Sequence, residues 1–232
     1  MNALTVGRRH RWTQEEYQRM SQLGWFAGQK VQWVAGDVLV HEGPGGFVPR
    51  PWSRDEYLRM IDLGWLEGRR AELIGGEVLD MPAQYDLHLG GITLVADALR
   101  AAFGQGFWVR VQGSLDLSPH GVPDPDVAVT PGGPRGTMRT IATAALLVVE
   151  VSDSTLGEDR SHKGSLYAAG GIADYWALNL VQRQLEVYRN PVADTSQPFG
   201  FRYGSRVILD PPDRVSPLAA PQAQILVADL LP

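Results

Sequence analysis

A carboxylate inside the apolar run LLVVEV (residues 146–151) is the first feature of this sequence that demands a chemical explanation. An unpaired charge on a buried strand is costly, so Glu150 must be ion-paired, protonated or bound to a cation. Asp126 opens a second short apolar run, DVAV, directly behind Pro123-Asp124-Pro125. Turn chemistry accounts for Asp124 better than for Asp126, which already belongs to the strand. Two acidic side chains on adjacent strands form a hard-oxygen site suited to Mg²⁺ or Mn²⁺, and short apolar strands joined by a loop commonly pair. Lys163 is the third member. The chain has only two lysines, Lys30 and Lys163, against 19 arginines. Lys163 falls on the helix face shared by Asp159, Leu166, Tyr167 and Gly170, the side expected to pack on the sheet. An amine there can position or activate a water, a role that a guanidinium, which keeps its proton, fills poorly. The competing account is structural: a glutamate salt-bridged to an arginine and a lysine with no special task.

Glu72 gains interest from an internal repeat. Residues 12–40 and 52–80 align without a gap at an offset of 40, with 12 of 29 positions identical, among them Trp12/Trp52, Tyr17/Tyr57, Trp25/Trp65 and Gly36/Gly76. Glu72 stands opposite Gln32, of nearly the same shape but uncharged, so one copy can donate a carboxylate to a metal and the other cannot. Surface drift after duplication is the alternative. His88 has the chemistry to contact a phosphate or a metal, although capping or packing explains it better. His120 reads as a solvated turn residue, and Ser152-Asp153-Ser154-Thr155 as the cap of the following helix. No G-x-S-x-G elbow, P-loop, G-x-G-x-x-G or H-E-x-x-H occurs, which removes the common hydrolase, nucleotide and zincin readings.

The elements that must position these residues are legible in outline. Ser53 and Glu56 make a capping box that opens a helix to about Leu63, ended by Gly64. Ala71–Ile74 and Glu77–Leu79 around Gly75-Gly76 read as a β-hairpin. Leu87–Phe103 is a helix with Leu87, Gly91, Leu94, Val95, Ala98 and Ala102 on one face. A long strand is expected over Phe107–Leu117, a short one from Asp126 to Val129, and a central one covered on both faces over Leu146–Val151. A helix from Glu158 to Ala169 and a hairpin of Tyr175–Leu178 with Gln184–Arg189 follow, then two weak strands, Phe201–Tyr203 and Arg206–Leu209. The mixture implies an α/β (α+β) class built on one mixed sheet.

Two copies are too few for a solenoid, so residues 1–50 are expected to form a duplicated helix–hairpin module with its linker, GPGGFVPRP. The core domain is then expected to span 51–232. The module is expected to cover a sheet edge or to support a homodimer by imitating the segment it copies. The chain of 232 residues has no cysteine and a formal charge of −5, which excludes thiolate chemistry and disulfides and argues against coating nucleic acid by bulk charge. The longest uncharged apolar run, Ile141–Val149, is too short to span a bilayer. No apolar leader is readable, and the expected location is cytoplasmic.

Taken together, AELIGGEVLDMP, PDPDVAV, LLVVEVSDST and DRSHKGSLYAAGGIADYW, in that order, resemble a bacterial family of restriction-endonuclease-like proteins in the PD-(D/E)XK nuclease superfamily, over about Tyr57–Tyr188. The resemblance implies a restriction-endonuclease-like core, a central mixed β-sheet flanked by helices, and a Mg²⁺ (or Mn²⁺) centre that hydrolyses DNA phosphodiester bonds. It makes Asp126 the motif aspartate, Glu150 the acid of the next strand, and Glu72 a completing metal ligand. The general pattern places a lysine two residues after that acid, where this chain has Ser152; the family supplies the amine from the next helix, at Lys163. Arg135 and Arg139 are then candidates for DNA phosphate contacts. The alternative is a non-cleaving member of the same fold that acts as a nucleic-acid-binding or protein-interaction module.

Overall fold

The structure is a computed structural model that describes residues 7–136, 140–153 and 156–232. Arg139 and the capping residues Ser154 and Thr155 lie outside the described residues. The chain divides into two compact units, Gly7–Pro82 and a second formed mainly by Ala83–Pro232. Both copies of the repeat fall in the first. No helix among the described residues is long and apolar enough to cross a membrane.

In the N-terminal unit the two copies follow one plan. Strand β1 (Arg8–Arg9) leads to helix α1 (Gln14–Gln22) and the hairpin β2 (Val31–Val34) and β3 (Asp37–His41); β4 (Phe47–Pro49) leads to α2 (Arg54–Asp62) and the hairpin β5 (Ala71–Ile74) and β6 (Glu77–Asp80). Each helix opens on a capping box, Thr13 with Glu16 and Ser53 with Glu56, which satisfies two otherwise unpartnered backbone donors. Each hairpin turns on two residues with positive φ, Ala35-Gly36 and Gly75-Gly76, the twist that a two-residue hairpin requires. Tyr17 and Tyr57 each donate from the helix to the start of the hairpin, to the carbonyls of Val31 and Ala71.

The C-terminal unit is built on a six-stranded mixed sheet. Its strands are β7 (Phe107–Val111), β9 (Val127–Pro131), β10 (Leu147–Ser152), β11 (Asp174–Asn179), β12 (Gln184–Ala193) and β13 (Phe201–Leu209), with β8 (Gly121–Val122) lying between β7 and β9 in sequence. The spatial order is β13-β12-β11-β10-β9-β7. Only the central pair β10–β11 is parallel, and its crossover is helical: α4 (Leu156–Glu158), a π turn over Asp159–Lys163, then α5 (Gly164–Ala169).

The two faces of this sheet differ in chemistry. Leu147, Val149 and Val151 of β10 join Val127, Val129, Trp176, Leu178, Leu185 and Val187 in the apolar core, with α3 (Asp86–Phe103) packed over them. The residues between them, Glu150 and Ser152 on β10 and Glu186 on β12, are equally buried but polar, because successive strand residues point to opposite faces. Four buried tyrosines, Tyr167, Tyr175, Tyr188 and Tyr203, pack ring against ring along that polar face.

Several expectations shift. The α3 face that enters the core is Gly91, Ile92, Val95, Ala96, Leu99 and Phe103; Leu87 is exposed and Leu94, Ala98 and Ala102 only half-buried. Gly91 lies on the buried side because an added Cβ there would stand 2.9 Å from Val151 Cγ1. The strand expected over Phe107–Leu117 stops at Val111, where Gln112 turns to positive φ. The two weak C-terminal strands are one continuous strand, β13, paired with β12 through Ser205 and Arg206.

Glu186 shows how charge is tolerated on the polar face. Its carboxylate is fully buried yet meets Arg160, Arg206 at 3.1 Å and the Tyr188 hydroxyl at 2.5 Å. Burial opposes its charge, but these donors hold its pKa below the ordinary carboxylate value. A depressed carboxylate stabilises the fold above its unfolded pKa and loses that contribution as pH falls through the folded value. Glu186→Gln is therefore expected to cost about 1–3 kcal/mol at pH 7 and progressively less below about pH 4, measured by urea denaturation at several pH values.

Candidate active site

The approach of Asp126 and Glu150 follows from strand register. Strands β9 and β10 pair antiparallel with Val127 opposite Val149 and Ala128 opposite Val148, and Asp126, one residue before β9, continues that register toward Glu150. Side chains directly opposite in an antiparallel pair project from the same face. The Asp126 carboxylate is fixed there by the Val151 backbone N–H, which donates to its Oδ2 at 2.9 Å. Both acids are buried, at 5% and 2% exposure. Glu150 lies on β10 as the sequence reading placed it, whereas Asp126 stands one residue before β9 and not within the strand.

Lys163 reaches the same point from the crossover. Its Nζ lies 2.9 Å from Glu150 Oε1, and the side chain is buried. The segment that carries it is the π turn Asp159–Lys163, a wider turn that often marks a functional site within a helix. Asp159, at the start of that turn, accepts a hydrogen bond from Ser152 Oγ at 2.5 Å. Ser152 thus anchors the turn to β10 instead of capping the helix alone, and the amine arrives one turn later, at the residue two positions before Ser152. One helical turn past Lys163, Tyr167 donates from its hydroxyl to the same Oε1, 2.5 Å away.

Asp126 is held from a third direction. His88, in the first turns of α3, places Nε2 3.2 Å from Asp126 Oδ1, with Gln84 beside both. Burial opposes ionisation of Asp126, but the hydrogen bond from His88, the charges of His88 and Lys163, and the Val151 N–H together hold its pKa below the ordinary value. Asp126 therefore stays a carboxylate at neutral pH and feels the Lys163 charge across the site.

Among the described residues no group of three or more His, Asp and Glu side chains is arranged to hold a metal ion. The donor set here is two carboxylates, which suits Mg²⁺: that ion keeps several waters and uses one or two protein carboxylates. Glu72 is buried on β5 of the N-terminal unit, opposite Leu79. Sequence reading underrated two residues. Tyr167 had a signal, the i+4 spacing from Lys163; the role of His88 depends on how α3 sits on the sheet, which spacing does not encode.

The family model Uma2, described as "Putative restriction endonuclease", matches residues 54–228. The chain belongs to this family. The Uma2 match begins at α2 and leaves the first copy of the repeat outside it. A solved structure, described as a "putative nuclease" of DUF820 from Anabaena variabilis, superposes with a TM-score of 0.58 at 15% identity, covering 78% of this chain and 97% of that one. At that identity the likeness is one of fold, and it agrees with the mixed sheet flanked by helices. No curated protein matches the chain. In the Uma2 chain described here, Lys163 reaches the acid from the helix, as the family resemblance implied.

Tyr167→Phe removes a donor to Glu150 Oε1 while keeping the ring. It is expected to cost about 1.5–3 kcal/mol and leave the fold intact, measured by chemical denaturation with circular dichroism as the check.

Proposed function

We propose that the chain is a Mg²⁺-dependent (or Mn²⁺-dependent) endonuclease that hydrolyses phosphodiester bonds of DNA. The observation that carries this reading is the convergence of Lys163 on Glu150, beside a second ionised carboxylate, in a member of a restriction-endonuclease family. Asp126 and Glu150 would hold the ion, which supplies Lewis-acid polarisation of a phosphate oxygen and lowers the pKa of water. Lys163 orients the attacking water and offsets the negative charge that builds on the phosphate in the transition state. Tyr167 and His88 are positioning residues: each fixes one carboxylate through a hydrogen bond. Arg135, exposed on the short 3₁₀ turn Pro134–Gly136, is offered as a phosphate contact that sets affinity rather than sequence choice.

A second reading keeps the fold and omits the cleavage. The direct Glu150–Lys163 pair supports it, since a carboxylate and an amine that satisfy one another form a stable buried network without any ion. The two readings part on metal binding. A nuclease centre binds Mg²⁺ or Mn²⁺ in calorimetric titration of the wild type and loses that binding in Asp126→Ala; a structural network shows no heat of binding in either.

Cleavage of supercoiled plasmid with Mg²⁺ is the direct test. Glu150→Gln and Asp126→Asn are expected to abolish it, and Lys163→Met to reduce it by about 10²–10³-fold. Cleavage that survives Glu150→Gln unchanged defeats the assignment.

A further inference from the structure

The two copies in the N-terminal unit do not sit side by side as independent modules. They exchange their leading strands. β1, which precedes the first copy, pairs with β6 of the second, Arg8 opposite Asp80 and Arg9 opposite Leu79. β4, which precedes the second copy, pairs with β3 of the first, Val48 opposite Val40 and Pro49 opposite Leu39. Each of these two pairings in one is the counterpart of the other at the repeat offset of 40. The flanking backbone bonds obey the same rule: the His10 N–H donates to Val78 O at 2.8 Å and the Arg50 N–H to Val38 O at 2.9 Å. Each segment then crosses to the tip of its own hairpin, the Trp12 N–H to Gly36 O and the Trp52 N–H to Gly76 O, at 2.9 and 2.7 Å.

Side chains repeat the symmetry. Trp12 meets Trp52 at 5.2 Å between ring centroids and Trp25 meets Trp65 at 5.3 Å. The crossed pairs Trp12–Trp65 and Trp25–Trp52 stand at 6.5 and 6.3 Å, both at 69° between ring planes. All four contacts run between copies, and the crossed pairs exchange under the repeat. This is the arrangement of a two-fold dimer, in which one surface patch faces its own copy, written into a single chain. Swapping of an identical element between protomers is a low-cost route to such dimers.

We propose that the helix–hairpin module is a self-pairing surface whose partner is a second copy of itself, and that here residues 7–50 fill that place in cis. The second copy is the one that the family model reaches; the first acts as its built-in partner. An intact chain is then closed on this surface. A chain whose first copy cannot fold pairs with another through residues 47–82, each laying Phe47–Pro49 on the other's β6.

The test uses the full chain, whose lack of native cysteine makes engineered pairs unambiguous. Arg8→Cys with Asp80→Cys is expected to form a disulfide within single chains on mild oxidation, because opposed antiparallel residues lie within disulfide range. Cross-links between chains in that double variant overturn closure in cis. Met20→Asp places a charge at a fully buried site of the first copy, and Trp12→Ala with Trp25→Ala removes that copy's half of the tryptophan cluster. Either change is expected to double the mass from 25.4 kDa by light scattering, and adding Val48→Cys with Asp80→Cys to link chains in pairs. A variant that stays folded by circular dichroism yet remains a single chain at the highest concentration reached overturns self-pairing. If both variants unfold completely, the second copy cannot hold together by pairing with another chain, and self-pairing is overturned.

Discussion

A charged carboxylate in the middle of the central strand is the constraint around which the C-terminal unit is arranged. Glu150 is almost wholly shut off from water, so its charge must be met by protein groups, and removal of one partner from such a pair typically costs about 3–5 kcal/mol. The partner is an amine from the crossover helix, joined by a tyrosine hydroxyl on the same oxygen. That requirement fixes the rotation of the crossover, which in turn explains why Ser152 and Asp159 tie the start of the π turn to the end of β10.

The same constraint divides the sheet. Its one face is a conventional apolar core under α3. Its other face buries Glu150, Ser152, Asn179 and Glu186, each met by a directed partner. Such networks are demanding, since a half-satisfied one is worse than an apolar core, but when complete they hold side chains in one arrangement. A site that must present two acids and an amine in fixed relation benefits from that rigidity more than from extra apolar burial.

Much of this was readable from residue types and spacing. The capping boxes, the Gly75-Gly76 hairpin, the central strand around Glu150 and the neighbouring Asp126 strand all carry local signals, and local signals suffice where backbone chemistry decides the outcome. The lysine on the sheet-facing side of its helix was legible for the same reason. What escaped depends on tertiary fit. Helix α3 is apolar around much of its circumference, so its pattern allowed a face containing Leu87 and Leu94, whereas packing selected Ile92, Ala96 and Leu99. Nothing in DRSHK announces a π turn; it arises because Asp159 and Lys163 must both reach β10. The continuity of β13 through Gly204-Ser205 likewise comes from pairing with β12 and not from strand propensity. The exchange between the two copies was invisible for a different reason: a repeat records that two segments are alike, but not which of them each strand will choose.

Gly91 has a consequence beyond the helix that carries it. It lets α3 settle against Val151 with no intervening methyl, and His88 stands one turn earlier on the same helix. The gap left by one missing side chain therefore acts as a depth gauge for the imidazole that steadies Asp126. A bulkier residue there would ride the helix outward and loosen a carboxylate it never touches, so the tuning of the acidic pair is set partly at a distance, by a residue with no chemistry of its own.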